Sequence, residues 1–533
     1  MKKILALLLV AVMVVALFAA CNNTTADPTE TKDNTPTGDT GATGETLNMS
    51  GPYPKDANGN FVYGDTFKDV TVRIVSVTSV EEDDMWFYKE IEKAIGCKVE
   101  VVEIEAAVLA DKLSAMLAEN NLPTIFESFT PIAQVVEYGE QGAFVDVMDP
   151  ENLEKMPNFA KIFAEDPEVN AIYMQTAAED GSHYILPTYD SEREVNHYWI
   201  YNEVAFEEAG VEWNGQPEGF LQMLRDLKKH FPNSTPLTGG AWQGTLDRMI
   251  YTWSVNSSYA AYDWDKEEWY YGATTDAYYD MLNMLLTAYN EGLMNPDMLT
   301  QGNAAIQEDM MNREGFLYNS WLDWMVMHNQ AFVDGNKVDH EIPTPTPVGP
   351  NGKTLELAKY GNSAGTVITA ADPAAADAAM AIMNWMYDVS EGQGGWLASV
   401  GIEEFLQTKE DGRFVWKDET MPNGNTDINY PFGKYAMFQT SLTVRYAPES
   451  PYFSFCEEVQ MAQDIGDEIG FFKCPPPLAI SDVEMADAYT ASQKDIQAMT
   501  QKFILENWDR AKFDAWVAEF NDNYAEVMEF LNG

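Results

Sequence analysis

Gly361, Ser363 and Gly365 stand in the G-x-S-x-G pattern that lifts a nucleophilic serine onto a turn between a strand and a helix. That chemistry needs a helix directly after the serine and a histidine later in the chain. Here the strand-like Thr366-Val-Ile-Thr369 follows, and His183, His197, His230, His328 and His340 all precede Ser363. Serine hydrolysis is therefore not expected. Gly352-Lys-Thr354 lacks the upstream glycine of a phosphate loop, because Pro347 occupies that position. No G-x-G-x-x-G and no H-E-x-x-H occurs. Cys97, Cys456 and Cys474 show no C-x-x-C spacing, so neither a disulfide framework nor a zinc site is expected. Asp56-Ala-Asn-Gly-Asn60 is only a fragment of a calcium loop. The 85 acidic residues could hide a glycosidase pair, but no spacing singles one out. No cofactor and no metal is expected, and the chain does not read as an enzyme.

Cys21 carries a different chemistry. Lys2 and Lys3 precede an apolar run over residues 4–18, about 15 residues long, which suits a signal peptide and is short for a membrane span. The run ends in Phe18-Ala19-Ala20-Cys21. Two small residues before a cysteine resemble the bacterial lipobox, with Phe18 where leucine is usual. Residues 1–20 then read as a signal peptide and Cys21 as the lipidated first residue of the mature chain. Two acyl chains anchor durably where one is marginal. The rest of residues 21–50 is rich in Thr, Asp, Asn, Gly and Pro and cannot bury enough surface to fold. As a coil of roughly 25 residues such a tether reaches about 25–30 Å.

The remaining stretch of about 490 residues exceeds what one hydrophobic core holds, so at least two lobes are expected. Lys and Arg number 32 against 85 Asp and Glu, a net charge of -53. That excess argues against nucleic acid and anionic lipid surfaces as partners.

Residues 70–77 (VTVRIVSV) alternate and are β-branched, hence a strand. A helix follows over 84–96, closed by Gly96, then a strand over 98–104. Leu109, Leu113, Met116 and Leu117 share one helix face, and residues 123–126 form a short strand. Strands alternating with helices predict an α/β sheet with parallel strands. A second block opens near Tyr184, with a strand over 197–201 and a helix over 203–209 closed by Gly210. Phe220, Leu224 and Leu227 mark one helix face, and Tyr278, Leu282, Leu285 and Tyr289 another. Residues 361–370 return to a strand, and Asp372-Pro373 caps a helix carrying Met383, Met386 and Tyr387. Residues 492–531 read as two helices.

Six segments in order resemble the extracellular solute-binding proteins of ABC transporters, family 1, the sugar-binding lipoprotein class. They are LSAMLAENNLPTI at 113–125, YILP at 184–187, YNEVAFEEAG at 201–210, YNEGLMNPD at 289–297, the segment 394–403, and KFI at 502–504 ahead of Trp508 and Phe513. The chain departs from the family pattern at Thr124, Asn202 and Glu404, where Asp, a basic residue and Gly are usual. An Asp-rich loop of some relatives is shortened to residues 231–235, so no calcium site is carried over. The resemblance implies an α/β fold, a two-lobe periplasmic-binding-protein-like clamp of type II, each lobe a mixed sheet flanked by helices. It places lobe one at 66–187 plus 363–440 and lobe two at 188–362 plus 441–533. It also implies a monomer at the extracellular face of the cell membrane, touching that membrane only through its lipid. Such a protein hands a carbohydrate to ABC permease subunits. A secreted glycosidase, or a peptide-binding or adhesive lipoprotein, is the alternative.

A sugar offers an apolar C–H face and a rim of hydroxyls, so its receptor needs aromatic plates edged by carboxylates and amides. Eight of the 14 tryptophans fall between Trp199 and Trp324. Glu127 and Ser128 follow a strand end, where α/β sheets bind ligands. Tyr189 and Asp190 follow the first crossing between lobes, and Trp242 sits alone in a Gly-rich loop. Trp321, Asp323 and Trp324 follow the apolar strand 315–318, and Glu403 ends the 394–403 segment. These nine are the expected ligand contacts, with Trp199 and Trp253 assigned to the core.

Overall fold

The computed structural model describes residues 51–76, 86–105, 108–127, 132–165, 177–178, 180–194, 197–240, 245–302, 304–349, 355–356, 359–401, 406–408, 412, 414–417, 456–471, 475–476, 478, 480 and 482–533. Cys21, Ser128, Trp242, Glu403 and Cys474 lie outside them.

The first sheet grows from the alternation read in the sequence. β1 (Thr71–Ser76) pairs in parallel with β2 (Lys98–Glu103), from Thr71 opposite Lys98 to Ser76 opposite Glu103. α1 (Trp86–Ile95) connects them and gives way to Gly96, whose φ of 82° a glycine adopts without strain. α2 (Leu109–Ala118) leads to β3 (Ile125–Glu127), which lies parallel to β1 on its other side. Thr124, the departure from the family pattern, stitches this turn to β1: its Oγ1 accepts from the Arg73 amide and its own amide donates to the Arg73 carbonyl. α3 (Ile132–Glu140), α4 (Pro150–Lys155) and α5 (Pro157–Glu165) follow.

β4 (Leu186–Glu194) leaves this sheet, and β5 (His197–Asn202) opens the second after only residues 195–196. In the second sheet β5 is central, antiparallel to β8 (Leu317–Trp321) and β9 (Glu341–Thr344). Asn202 closes β5 and caps α6 (Glu203–Ala209): its Oδ1 accepts from the Ala205 amide at 3.0 Å and its Nδ2 donates to Asp339 at 3.0 Å. α7 (Pro217–His230) and α8 (Thr245–Met249) come next, then the hairpin β6 (Ala260–Asp263) and β7 (Glu268–Tyr271). α9 (Asp276–Asn290) and α10 (Ala304–Met311) precede β8, and α11 (Leu322–Asp334) follows it without a linker.

After β10 (Leu355–Glu356), β11 (Lys359–Ile368) returns the chain to the first sheet. It runs antiparallel between β3 and β4, giving the order β2-β1-β3-β11-β4. α12 (Pro373–Met386), capped by Asp372 Oδ1 on the Ala374 and Ala375 amides, is buried nearly all round, as a helix apolar on every face must be. The chain ends with α13 (Gly394–Ser399), β12 (Leu406–Thr408), β13 (Phe414–Trp416), α14 (Glu457–Glu468), β14 (Gly470–Phe471), α15 (Val483–Leu505), α16 (Arg510–Asn523) and α17 (Ala525–Asn532). Three helices thus close the chain where two were expected. The first starts earlier, at Asp482, which caps it through the Met485 amide.

Each sheet is sandwiched, and its period of two sorts the cores. Val72 and Ile74 join α1 and α12, whereas Val75 joins α2 and α3. Tyr53 and Tyr63, upstream of the expected start of lobe one, add with Phe67 an edge-to-face aromatic cluster to the first of these cores. In the second lobe Trp199 and Leu317 face α7, α9, α15 and α16, while Tyr198, Ile200 and Tyr318 face α10, α11 and α14. The result is the two-lobe clamp, each lobe a sheet flanked by helices.

Candidate functional site

β4 and β11 run side by side between the sheets. β3 ends at Glu127, which pairs with Thr366, and past that pair β4 and β11 continue side by side with Tyr189 opposite Gly361 and Glu194 opposite Lys359. This two-stranded bridge, on the hinge side of each lobe, joins the two sheets. Tyr189 and Asp190 lie in its free stretch, and Glu127 marks the end of the first sheet facing it. The expected lobe limits at 187/188 and 362/363 both fall inside the bridge.

Gly365 explains the hydrolase-like glycine spacing. A Cβ there would lie 1.8 Å from the Leu186 carbonyl oxygen, so the close approach of the two strands requires glycine. Ser363 sits within the continuous strand β11, where the register with β4 shifts between Asn362 and Gly365, rather than on an elbow. Tyr387, which caps the end of α12, donates its hydroxyl proton to the Pro187 carbonyl at 2.5 Å and fixes the root of the bridge. Complete burial holds that phenol well above its ordinary pKa.

On the second lobe the hinge-side end of the sheet is fixed by connectivity. His197 begins β5 directly after the bridge, and its antiparallel partner is Trp321. Their ring centroids lie 3.6 Å apart at 49°. Trp321 is half-buried and also precedes the first turn of α11, which brings Asp323 and Trp324 to the same end. The ring of Trp324 meets His328 edge-on at 6.2 Å. Behind it, the fully buried Glu341 accepts from Tyr318 Oη at 2.6 Å and from His328 Nδ1 at 3.1 Å. A buried carboxylate with two donors is a rigid support.

Arg248 of α8 reaches His197 Nδ1 at 3.2 Å. A guanidinium only donates, so Nδ1 accepts and the imidazole proton is assigned to Nε2. Asn319 stands between Trp321 and Leu317 on the same face of β8, fully buried, with neither side-chain atom partnered among the described residues. Its main chain is held twice by Thr245, whose Oγ1 accepts from the Asn319 amide at 3.0 Å and lies 3.1 Å from its carbonyl.

Thr245 also follows directly on residues 241–244, which include Trp242. On the other side of those residues Gly239 has a φ of 153°, and a Cβ there would fall 1.9 Å from Thr245 Oγ1. Gln301 Nε2 holds the Gly239 carbonyl at 3.0 Å. Asp309 gathers Thr238 Oγ1 and, at 2.7 Å, Asn295 Nδ2, which gives the asparagine of the YNEGLMNPD segment its role. Thr238 and Thr245, on either side of residues 241–244, are therefore both held against β8.

The structure thus gathers Trp321, Asp323 and Trp324 at one end of the second sheet, and Glu127, Tyr189 and Asp190 along the hinge side of the first. His197, Arg248 and Asn319 belong to the same end and were not among the expected contacts. The signal for Asn319 was present: an amide in the otherwise apolar strand 315–318 and its continuation must be satisfied or functional. His197 and Arg248 meet only through the fold. Cys97 and Cys456 are free thiols, both pushed up by burial, to about 11 and about 12. Among the described residues no helix is long and apolar enough to cross a membrane.

A model of the family described as bacterial extracellular solute-binding protein matches residues 78–392. No curated protein matches the sequence. Among solved structures, the fold is similar to the alginate-binding protein AlgQ2 in its form without calcium ion, at 17% identity and TM-score 0.68, over 87% of this chain and 97% of that one. It is similar to an extracellular solute-binding protein from Bifidobacterium longum subsp. infantis, at 13% identity and TM-score 0.67, over 90% of this chain and 100% of that one. It is also similar to the S. pneumoniae ABC-transporter substrate binding protein FusA in complex with kestose, at 13% identity and TM-score 0.63, over 87% and 97%.

Proposed function

The chain belongs to the bacterial extracellular solute-binding proteins, and from that premise we propose that it captures an oligosaccharide between its lobes and delivers it to an ABC importer permease. Neighbours of the same fold bind alginate or carry kestose. The observation that carries the reading is the half-buried indole of Trp321 against His197, at the end of the second sheet where the hinge strands enter. An indole so placed offers a flat plate to a sugar C–H face, and this reading assigns the amide and carboxylate edges to Asn319, Asp323, Glu127 and Asp190. Tyr189, Trp324, Trp242, Ser128 and Glu403 are the further contacts of this reading. Closure about β4 and β11 shifts a pre-existing open–closed equilibrium, and ligand favours the closed form by its differential contacts. Lobe one is 66–187 plus 363–440 and lobe two 188–362 plus 441–533, divided within the bridge.

In this reading residues 1–20 are removed and Cys21 is diacylated, so the receptor stays at the extracellular face of the cell membrane and close to its permease. It acts as a monomer without cofactor. A thermal-shift screen against an oligosaccharide panel tests the reading. A tight ligand raises the melting temperature by linkage, and Trp321→Ala should weaken that ligand by at least about tenfold. Unchanged affinity in Trp321→Ala, or stabilisation by peptides alone, overturns the assignment. For the anchor, Cys21→Ala should release the protein into the medium.

A further inference from the structure

A second cavity lies on lobe two and shares no lining residue with the hinge or with the contacts named above. The loop between α6 and α7 and the segment leaving β9 enclose an open volume of about 540 Å³, within the range of small-molecule sites. Trp213 and Val348 give it apolar walls; Glu212, Asn214, Gln216 and Thr346 give it hydrogen-bonding groups.

The cavity is built rather than incidental. The indole of Trp213 is backed by Tyr201, nearly parallel at 5.9 Å and 19°, and by Trp199 at 6.4 Å. Two bonds set the loop: the Asn214 amide donates to Met223 Sδ at 3.4 Å, and Asn214 Oδ1 accepts from the Gln216 amide at 3.0 Å. Gly215 keeps the indole edge clear, since a Cβ there would stand 3.3 Å from Trp213 Nε1. Thr346 is only 2% exposed, and its hydroxyl has no partner among the described residues. A buried hydroxyl left unsatisfied is unfavourable unless something entering the cavity completes it.

The chemistry selects the occupant. Among the described lining residues there is no Lys or Arg, Glu212 contributes a negative charge, and the whole chain carries -53, so an anion is repelled. A single carboxylate is too little to hold a metal cation. A rigid indole beside two amides, a carboxylate and a hydroxyl matches a polyol with one apolar face. The geometry points to a second saccharide site, outside the inter-lobe cleft, that takes one or two neutral sugar rings. It rests on the carbohydrate-receptor reading for its ligand class alone. Such a site would hold one end of a long glycan near the clamp before the cleft closes on another part of it.

Fluorine NMR of the full chain labelled with fluorotryptophan tests this, with Trp213→Phe and Trp321→Phe assigning the two resonances. Maltose, cellobiose and diacetylchitobiose are the probes, each taken to tens of millimolar. At least one should shift the Trp213 resonance with a dissociation constant of about a millimolar. The shift should persist in Trp321→Ala and weaken by about tenfold or more in Thr346→Val and Gln216→Ala. A Trp213 resonance that no probe moves overturns the inference. So does a shift that vanishes in Trp321→Ala, which would only report cleft closure, or one that Thr346→Val leaves unchanged. A Trp321 resonance that stays still while Trp213 moves counts against the cleft reading and leaves this site standing.

Discussion

Asn319 is the side chain whose placement is hardest to justify by folding alone. Its amide is buried at 0% exposure with both polar atoms unpartnered among the described residues, while its main chain is already held by Thr245. Replacing an unsatisfied buried amide by an apolar side chain of similar size removes a desolvation penalty of about 1–2 kcal/mol. Asn319→Leu should therefore raise the melting temperature while it lowers sugar affinity. A fall in stability with affinity intact would make Asn319 a structural residue. The position of Trp321 and Asp323 at the end of β8 was legible in the sequence, because an aromatic cluster after an apolar strand is a local pattern. That of His197 and Arg248 was not, because their 3.2 Å contact joins β5 to a five-residue helix 51 positions away.

At the scale of elements, the second lobe is closed by a histidine clip far from the hinge. His340, just before β9, meets Glu203 of α6 through Nδ1 at 2.6 Å and Glu458 of α14 through Nε2 at 2.7 Å. The hydrogen bond to Glu458, with help from Glu203, raises the His340 pKa from its ordinary 6.5 to about 9. The same pair lowers Glu458 from 4.5 to about 2, chiefly through the His340 bond. The histidine contribution to stability is complete below pH 6.5 and is lost as pH rises through about 9. The Glu458 contribution is complete above pH 4.5 and is lost as pH falls through about 2. The clip should therefore stabilise most between pH 4.5 and 6.5. Thermal melts at rising pH should show a fall above neutrality that His340→Gln flattens, and an identical slope in the variant would remove the clip from the account.

The hinge gives a steric prediction at the same scale. Gly365→Ala forces a methyl to within 1.8 Å of the Leu186 carbonyl, so β4 and β11 must separate. Overpacking of this kind costs about 1–3 kcal/mol or more, and loss of sugar-induced closure should accompany it. A melting temperature and ligand response equal to wild type would show that the bridge adapts. Elements such as these were legible wherever period and punctuation agreed. β1, α1 with Gly96, and α12 with Asp372 stand as read, because each is set by its own residues. The early start of α15 was missed because Val483 to Leu505 has no dominant apolar stripe, and its buried residues are fixed by contacts with α9 and the hairpin. The continuous course of β11 through both glycines of the G-x-S-x-G pattern depends on β4, which lies far upstream in the chain.

The molecule as a whole carries 85 acidic residues against 32 basic ones. Charge of one sign on a compact body repels itself and opposes folding, and salt screens that repulsion with a Debye length of about 10 Å at 0.1 M. Stability should therefore rise with added salt. The ligand responds differently if it is a neutral sugar, because stacking and hydrogen bonds to hydroxyls carry no net charge to screen. A charged glycan would have to enter against the field of the protein, and Arg248, at the hinge-side end of the second sheet, is already engaged with His197. Melting temperature and affinity measured across the same salt series separate these cases. We expect the melting temperature to climb while the dissociation constant of the oligosaccharide stays within about twofold. An affinity that strengthens as salt screens repulsion would identify an anionic ligand, and the receptor's acidity would then act as a selectivity barrier rather than as a solvated surface.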